Sequence, residues 1–209
     1  MRLLILGAGG HAQVVADAAL SAGPWTTVDA LDDDAGAEHG CINSIVGTLA
    51  DVSSMGSTYD GIALGFGDSV LRRKAIEAVM AAGMQAATII HPTAIVARHT
   101  TIGPGTVVLA GAVVNTGTTV GPACVLNTRS SVDHHCSINA LAHVAPGATL
   151  GGRVSVGEAA WIGMGAVIRD GTAICAQATI GAGAVVVNDV DTPGTWIGVP
   201  ATLLRQAQP

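Results

Sequence analysis

The second half of the chain carries an aliphatic residue at every sixth position. This ladder runs from Ile90 to Val186, and each of its seventeen steps is Val, Ile or Leu. From Ala94 to Ala184, the position four residues after each aliphatic is Ala, Ser, Thr or Cys, except where Val154 stands. A period of six fits neither a helix nor the alternation of an ordinary strand. The pattern is typical of a hexapeptide β-helix, in which short parallel strands meet at corners.

Three hexads close one triangular coil of eighteen residues, so residues 90–186 predict about five coils at a spacing of about 4.8 Å. One aliphatic side chain on each side of the coil fills the interior. The small companion positions also point inward, which makes Cys124 and Cys136 inert packing residues. Gly or Asn often follows the aliphatic residue, and we expect these positions to form turns that need a permissive backbone.

The first 89 residues show a different pattern, in which apolar strands alternate with helices. The chain opens with a strand at 2–6, the glycine turn Gly7-Ala8-Gly9-Gly10 and a helical stretch through Leu20. Further strands are expected near 26–31, 44–46, 61–64 and 85–89, with a helix over 68–82 whose exposed side begins with Arg72, Arg73 and Lys74. Four or five strands make half of a dinucleotide-binding fold, so this part predicts a Rossmann-like α/β half-fold.

A strand followed by a glycine turn and a helix binds phosphate groups at the helix N-terminus. The second strand ends in Asp32-Asp33-Asp34, where carboxylates suit ribose hydroxyls. Because only half of a dinucleotide fold is present, a nucleotide or nucleotide sugar is favoured over NAD. A purely structural cap on the β-helix is the remaining alternative.

Composition and charge narrow the function classes. The chain has 28 Gly, 49% hydrophobic residues, 11% charged residues and five aromatic residues, which indicates an ordered core of small aliphatic groups. Residues 1–89 hold ten acids and four bases, whereas residues 90–209 hold five of each, so the net charge of −6 belongs to the first part. Neither part has the basic excess that nucleic-acid binding requires.

No membrane association is expected. The run from Thr100 to Thr128 has no charged residue and is long enough to span a bilayer, but its Pro, Asn and Thr residues would face lipid. The apolar stretch at the N-terminus is too short for a signal peptide. The four cysteines form no CxxC pair, and we therefore expect a reducing, cytoplasmic location.

Three histidines stand out on a β-helix surface that is otherwise nearly free of titrating groups. The hexad phase places Asp133, His134 and His135 at an exposed corner or face. His143 follows His134 by nine residues, half a coil away, and an opposing subunit of a trimer could bring such groups together. Histidine suits general-base catalysis near neutral pH, which makes His134 a candidate base.

A metal site and a passive surface histidine are the competing interpretations of His134. Three-histidine zinc sites occur on β-helices of this kind. The γ-class carbonic anhydrases carry a pair of ligands five residues apart, and no histidine pair of this chain has that spacing. No metal is therefore expected.

Seven stretches spread over essentially the whole chain match one known family of proteins. They are Leu6–His11, Ala63–Gly65 through Leu71-Arg72, Ile90–Ala94, Leu126–Thr128, Val132–His134, Ala142–Val144 and Gly198–Ala201. On these stretches the chain resembles the left-handed β-helix sugar acetyltransferases that carry a small nucleotide-sugar domain in front, a family that includes UDP-4-amino-sugar N-acetyltransferases, GDP-perosamine N-acetyltransferase and sialic acid O-acetyltransferases. The resemblance implies a nucleotide-sugar domain over 1–89, a left-handed parallel β-helix over 90–190 and a C-terminal tail over 191–209.

The resemblance also implies the activity. An acetyl group moves from acetyl-coenzyme A to the amino group of a UDP- or GDP-linked amino-deoxy sugar, in a homotrimer with active sites between neighbouring β-helices. His134 matches the base, and Asn127 is a candidate for orienting the acceptor unless it only forms a turn. Acetyl-coenzyme A binding is implied for His143, Gly152, Met164 and Ala182, and nucleotide-sugar binding for Gly9, Gly10, His11, Asp32, Asp33 and Gly65.

One position departs from the family pattern. Family members often have an acid directly after the base, and here that residue is His135. Asp133 or a group from elsewhere then supplies the carboxylate, or the acceptor needs less help. Two other functions stay open: O-acetylation of a sialic acid or another sugar hydroxyl, and a non-catalytic trimer that binds nucleotide sugars.

Overall fold

A computed structural model describes residues 1–34, 36, 40–55 and 58–206. The chain divides into two compact units. The amino-terminal unit is Met1–Pro92 with Pro104–Val107, and the β-helix unit is Thr93–Gly103 with the chain from Val108 onward.

The amino-terminal unit contains a parallel sheet flanked by helices. Its elements are β1 Arg2–Leu6, α1 Gly10–Ala22, β2 Thr27–Leu31, β3 Ser44–Gly47, a 3-10 helix at Leu49–Ser54, β4 Gly61–Leu64, α2 Ser69–Ala81 and the short strand β5 Ile89–Ile90. Over the described residues the sheet order is β3-β2-β1-β4, and all three strand pairs are parallel. This is the order of the first half of a doubly wound fold, so the predicted Rossmann-like half-fold is confirmed.

Two local predictions for this unit are wrong. The segment 85–89 forms no full strand, since it makes one isolated bridge between Ala86 and Ile62 before β5 begins. Arg72 is 1% exposed, because it lies on the buried face of α2 with Ala75 and Val79. Its guanidinium donates to the carbonyl oxygens of Phe66 and Gly67 at 3.0 and 2.7 Å, which offsets the cost of burying the charge.

The β-helix unit consists of two-residue strands separated by tight corners. They are β6 Ile95–Val96, β7 Thr101–Ile102, β8 Val107–Val108, β9 Val113–Val114, β10 Thr119–Val120, β11 Val125–Leu126, β12 Ser131–Val132, β13 Ser137–Ile138, β14 His143–Val144, β15 Thr149–Leu150, β16 Ser155–Val156, β17 Trp161–Ile162, β18 Val167–Ile168, β19 Ala173–Ile174, β20 Thr179–Ile180 and β21 Val185–Val186. Two longer strands, β22 Gly194–Ile197 and β23 Thr202–Gln206, follow and pair with each other antiparallel.

Each short strand from β6 to β18 pairs in parallel with the strand eighteen residues further on, as Thr119 does with Ser137. The strands form three faces of a left-handed prism. Face one holds β6, β9, β12, β15, β18 and β21, face two holds β7, β10, β13, β16 and β19, and face three holds β8, β11, β14, β17, β20 and β22. The predicted coil of eighteen residues is confirmed.

The aliphatic ladder fills the prism. From Val108 to Val186 every ladder residue is at most 2% exposed, and the companion residues Cys124 and Cys136 are also buried, as predicted. Ile90, the first predicted step, is instead 37% exposed. The interior therefore needs no aromatic ring, because one branched aliphatic side chain per strand fills it.

The corners form at a different position from the one predicted. Every sixth residue from His99 to Gly183 has a positive φ, three positions after each aliphatic, and side chains occupy many of these corners. Gly103, directly after an aliphatic, meets another requirement, because a Cβ there would lie 2.5 Å from the backbone of Gly121 on the next coil. Glycine after the aliphatic thus allows successive coils to approach.

Candidate active site

Two adjacent histidines occupy the corner between face one and face two, after β12. The Nδ1 atoms of His134 and His135 lie 3.0 Å apart, and the two rings are nearly perpendicular, at 81°. Such a contact is a hydrogen bond only when one of the two nitrogens carries a proton and the other does not. The pair therefore shares one proton across this contact.

Gly152 lies one coil further on at the same corner and makes room for the His134 ring. A Cβ at position 152 would lie 2.7 Å from Cε1 and 2.8 Å from Nε2 of His134. Gly152 needs no special backbone conformation, since its φ is not positive. The structure thus brings His134, His135 and Gly152 together.

Asp133 lies beside the pair but uses its carboxylate elsewhere. Its Oδ1 accepts from the backbone N–H of His134 at 2.7 Å and from the side-chain amide of Asn115 at 2.9 Å. The bond from the His134 N–H, followed by that from Asn115, holds the pKa of Asp133 below its usual value. Among the described residues, Asp133 makes no hydrogen bond to either imidazole.

Asn127 and His143 form a second cluster, on face three. The Oδ1 of Asn127 accepts from the backbone N–H of Thr128 at 2.8 Å, so its amide nitrogen is the group that faces Nε2 of His143, at 3.1 Å. His143 Nε2 is consequently an acceptor, and the neutral ring carries its proton on Nδ1. The His143 ring is 3% exposed and packs against Trp161 with 4.1 Å between centroids.

The two histidine clusters lie on opposite sides of the prism. His134 is at the corner between faces one and two, and His143 is on face three, which is the face across from that corner. One chain therefore does not bring His134 and His143 into a common site.

Met164 and Ala182 share the corner between face three and face one on successive coils. The N–H of Gly183 donates to the carbonyl of Met164 at 2.8 Å, and both Met164 and Ala182 are exposed. A Cβ at Gly165 or Gly183 would meet no atom within 4 Å, so the corner is open on these two coils.

The glycine turn of the amino-terminal unit is fastened to the end of β2. Asp32 accepts from the backbone N–H of Ala8 at 2.6 Å and from that of Asp34 at 2.9 Å. Asp33 accepts from the N–H of Leu49 at 3.2 Å. Both predicted ribose ligands thus also hold backbone in place.

Helix α1 begins directly after this turn without a side-chain cap. Gly9 at the N-cap position and Gly10 are exposed, and a Cβ at either would meet no atom within 4 Å. Backbone N–H groups of the first helical turn therefore suit an anionic group. Gly65 is buried instead, because a Cβ there would lie 2.7 Å from the Cβ of Ala12, and it serves close packing of β4 against α1.

His11 lies in the first turn of α1 and is held neutral. Burial, followed by the charge of Arg72, lowers the pKa of His11 to about 4. The sequence prediction of a solvated Arg72 overlooks its spacing from Ala75 and Val79, which is the i, i+3, i+7 pattern of a buried helix face. That spacing is the sequence feature that predicts a buried Arg72.

Among the described residues, no group of three or more His, Cys, Asp or Glu side chains could hold a metal ion. No helix in the same part of the chain is long and apolar enough to cross a membrane.

The chain is similar to known proteins over nearly all of its length. The PglD N-terminal domain family model matches residues 2–79. The acetyltransferase domain of PglB from Neisseria gonorrhoeae FA1090, also solved with acetyl coenzyme A, is 36% identical with a TM-score of 0.91 over 97% of this chain and 99% of that one. PerB from Caulobacter crescentus, solved with CoA and GDP-perosamine, is 33% identical with a TM-score of 0.89 over 97% and 96%. A comparison with curated proteins gave no significant match.

Proposed function

Since the chain belongs to the family of left-handed β-helix sugar acetyltransferases that includes the PglB domain and PerB, we propose that it acetylates the amino group of a UDP- or GDP-linked amino-deoxy sugar, with acetyl-coenzyme A as donor. The observation that carries the proposal is the full-length likeness to PerB, whose structure holds CoA and GDP-perosamine together. We assign the nucleotide sugar to residues 1–89 and the transfer to residues 90–190, with 191–209 as a tail.

His134 is the general base of this reaction. The sugar nitrogen attacks the thioester carbonyl carbon, the C–N bond forms and the C–S bond breaks. Nε2 of His134 takes the proton from the attacking nitrogen and passes it to the departing sulfur, so that the products are the amide and the free thiol. The close fit of the ring against Gly152 supports this role, because a base must be held within reach of the proton it removes.

The amino-terminal unit binds the nucleotide sugar. The uncapped start of α1 at Gly9 and Gly10 receives the diphosphate, and the neutral His11 adds a polar contact without a competing charge. Asp32 and Asp33 order the adjoining backbone and leave carboxylate lone pairs for the ribose hydroxyls.

Acetyl-coenzyme A lies along the open corner that carries Met164 and Ala182. When bound, it supplies an activated acetyl group on a thiol leaving group. We assign His143 to its contact surface as well, with the ring held at Nε2 by the amide of Asn127. The backbone at Gly152 contacts acetyl-coenzyme A next to His134.

The active enzyme is a homotrimer with sites between protomers. The support is that His134 and His143 lie on opposite sides of one prism, so a neighbouring copy must supply one of them. Mixing inactive His134→Ala and His143→Gln chains should restore about a quarter of the wild-type sites, because that share of interfaces combines both intact residues. Activity no higher than that of the separate variants would contradict the shared site.

The acceptor is tested by following thiol release from acetyl-coenzyme A over a panel of UDP- and GDP-linked 4-amino sugars and free sialic acid. Rapid release with a nucleotide-linked amino sugar supports the proposal. Release with sialic acid alone would replace it with O-acetylation, and tight nucleotide-sugar binding without any release would leave a binding protein. The four free cysteines agree with a cytoplasmic location, which we also propose.

A further inference from the structure

We propose that His135 is the positioning residue of His134: neutral His135 accepts the Nδ1–H of His134 on its own Nδ1, and this leaves Nε2 of His134 unprotonated and ready to act as the base. The inference rests on the proposed function, since it takes His134 as the base. It assigns to an imidazole the place that an acid often holds in the family.

The 3.0 Å distance between the two Nδ1 atoms allows two proton arrangements. In one, the proton is on His134 and points at His135. In the other, the proton is on His135, and neutral His134 then carries its own proton on Nε2, where it cannot accept another. Only the first arrangement gives a base at Nε2, and a defined partner at Nδ1 is what fixes the tautomer of a catalytic histidine.

The neighbouring carboxylates do not take this place. Oδ1 of Asp133 accepts hydrogen bonds from the His134 backbone N–H and from the side-chain amide of Asn115. Among the described residues, Asp133 makes no hydrogen bond to an imidazole. Asp170, one coil beyond Gly152, lies 3.9 Å from the guanidinium of Arg153 in an exposed ion pair. The only hydrogen bond of the His134 imidazole within the described chain is the one to His135.

Both rings are held by glycines of adjacent coils. His134 lies against Gly152 on the next coil, and His135 lies against Gly117 on the preceding coil, where a Cβ would be 2.8 Å from Cδ2 of His135. Rings supported in this way keep the Nδ1 atoms facing each other. His99, two coils from His135 at the same corner, has no such partner among its described neighbours and offers a control.

The proton balance of the reaction is unchanged by this assignment. The proton from the sugar nitrogen enters at Nε2 of His134, while the Nδ1–H stays on His134 and stays bonded to His135. The transient positive charge on His134 is stabilised by the charge-assisted bond to the neutral acceptor. The proton then leaves from Nε2 to the sulfur, which returns the pair to its starting form.

Nitrogen-15 NMR of the full chain, without substrates at pH 8, tests the tautomers directly. We expect His134 to be protonated on Nδ1 and unprotonated on Nε2, with His135 protonated on Nε2. Protonation of neutral His134 on Nε2 would overturn the inference. This readout does not depend on turnover, so it separates failure of the pair from failure of the proposed acetyl transfer.

Kinetics with the identified acceptor supply the second test. His135→Ala should lower kcat by about tenfold to a hundredfold and change KM for both substrates less than about twofold, as expected when a group that orients a catalytic side chain is lost. His135→Asn and His135→Glu restore an acceptor for Nδ1–H and should recover most of kcat. Recovery by neither variant, or full kcat in His135→Ala, would overturn the inference.

His99→Ala is the matched control for backbone strain. His99 and His135 occupy the same corner with φ of 61° and 58°, so alanine meets the same left-handed backbone at both positions. We expect His99→Ala to keep wild-type kcat. A loss in His99→Ala equal to that in His135→Ala would assign the effect to strain and overturn the positioning role.

Discussion

A methyl group added at Gly152 should displace the base. In Gly152→Ala the new Cβ would lie 2.7 Å from Cε1 of His134, whereas ordinary contact begins near 3.4 Å, so the ring must retreat by about 0.7 Å. The backbone tolerates the change, because φ at position 152 is not positive and Asp170 carries a side chain at the equivalent position of the next coil.

A misplacement of about 1 Å in a catalytic group costs roughly a hundredfold in rate, about 2.7 kcal/mol of barrier. We therefore expect kcat for thiol release to fall about thirtyfold to a hundredfold in Gly152→Ala, with the thermal midpoint of the protein nearly unchanged. In a His134→Ala background the same methyl group meets no ring and should cost nothing further. An equal loss from Gly152→Ala in both backgrounds would contradict the displacement of His134, because the methyl group would then act on the ligand.

Three further predictions concern the other clusters. The pKa of His11 is about 4 in the folded chain and near 6.5 in the unfolded chain. The contribution of neutral His11 to the free energy of unfolding is therefore fully present above pH 6.5, and up to about 3 kcal/mol is lost as the pH drops to 4. His11→Gln should remove this pH dependence from urea unfolding measured at pH 7 and pH 5. Asn127→Asp places an acceptor opposite Nε2 of His143, so nitrogen-15 NMR should show the His143 proton on Nε2, with KM for acetyl-coenzyme A raised about tenfold; an unchanged tautomer would contradict the contact. Gly65→Ala should destabilise the chain by about 1–3 kcal/mol in denaturant titration through overpacking, whereas Gly10→Ala, which meets no atom, should not.

The β-helix could be predicted in detail because each aliphatic residue of the sequence repeat is a residue of the packed interior. An aliphatic residue every sixth position leaves one way to bury all of them, and the strand pairs eighteen residues apart follow from it. The corners were harder to predict, since residues as different as His135, Leu141 and Gly147 adopt the same positive φ there. The stacking of coils imposes the positive φ, and the local preferences of these residues do not predict it.

The sequence singles out the candidate residues at His134, but it does not predict their contacts. The bond between His134 and His135 depends on ring orientations that two glycines on other coils determine. The same holds for Asn127, whose backbone bond to Thr128 turns its amide toward His143. Asn127 and His143 are sixteen residues apart, and each glycine is eighteen residues from the ring that it contacts. Side-chain rotamers decide which atoms of these residues meet.

The most direct test of the account is the turnover of His134→Ala with a nucleotide-linked amino sugar as acceptor and acetyl-coenzyme A as donor. Removal of a general base costs about a hundredfold to ten-thousandfold, so kcat should fall by at least about a hundredfold, with KM for acetyl-coenzyme A nearly unchanged and His99→Ala as active as the wild type. Near-normal turnover in His134→Ala would contradict the assignment of the base.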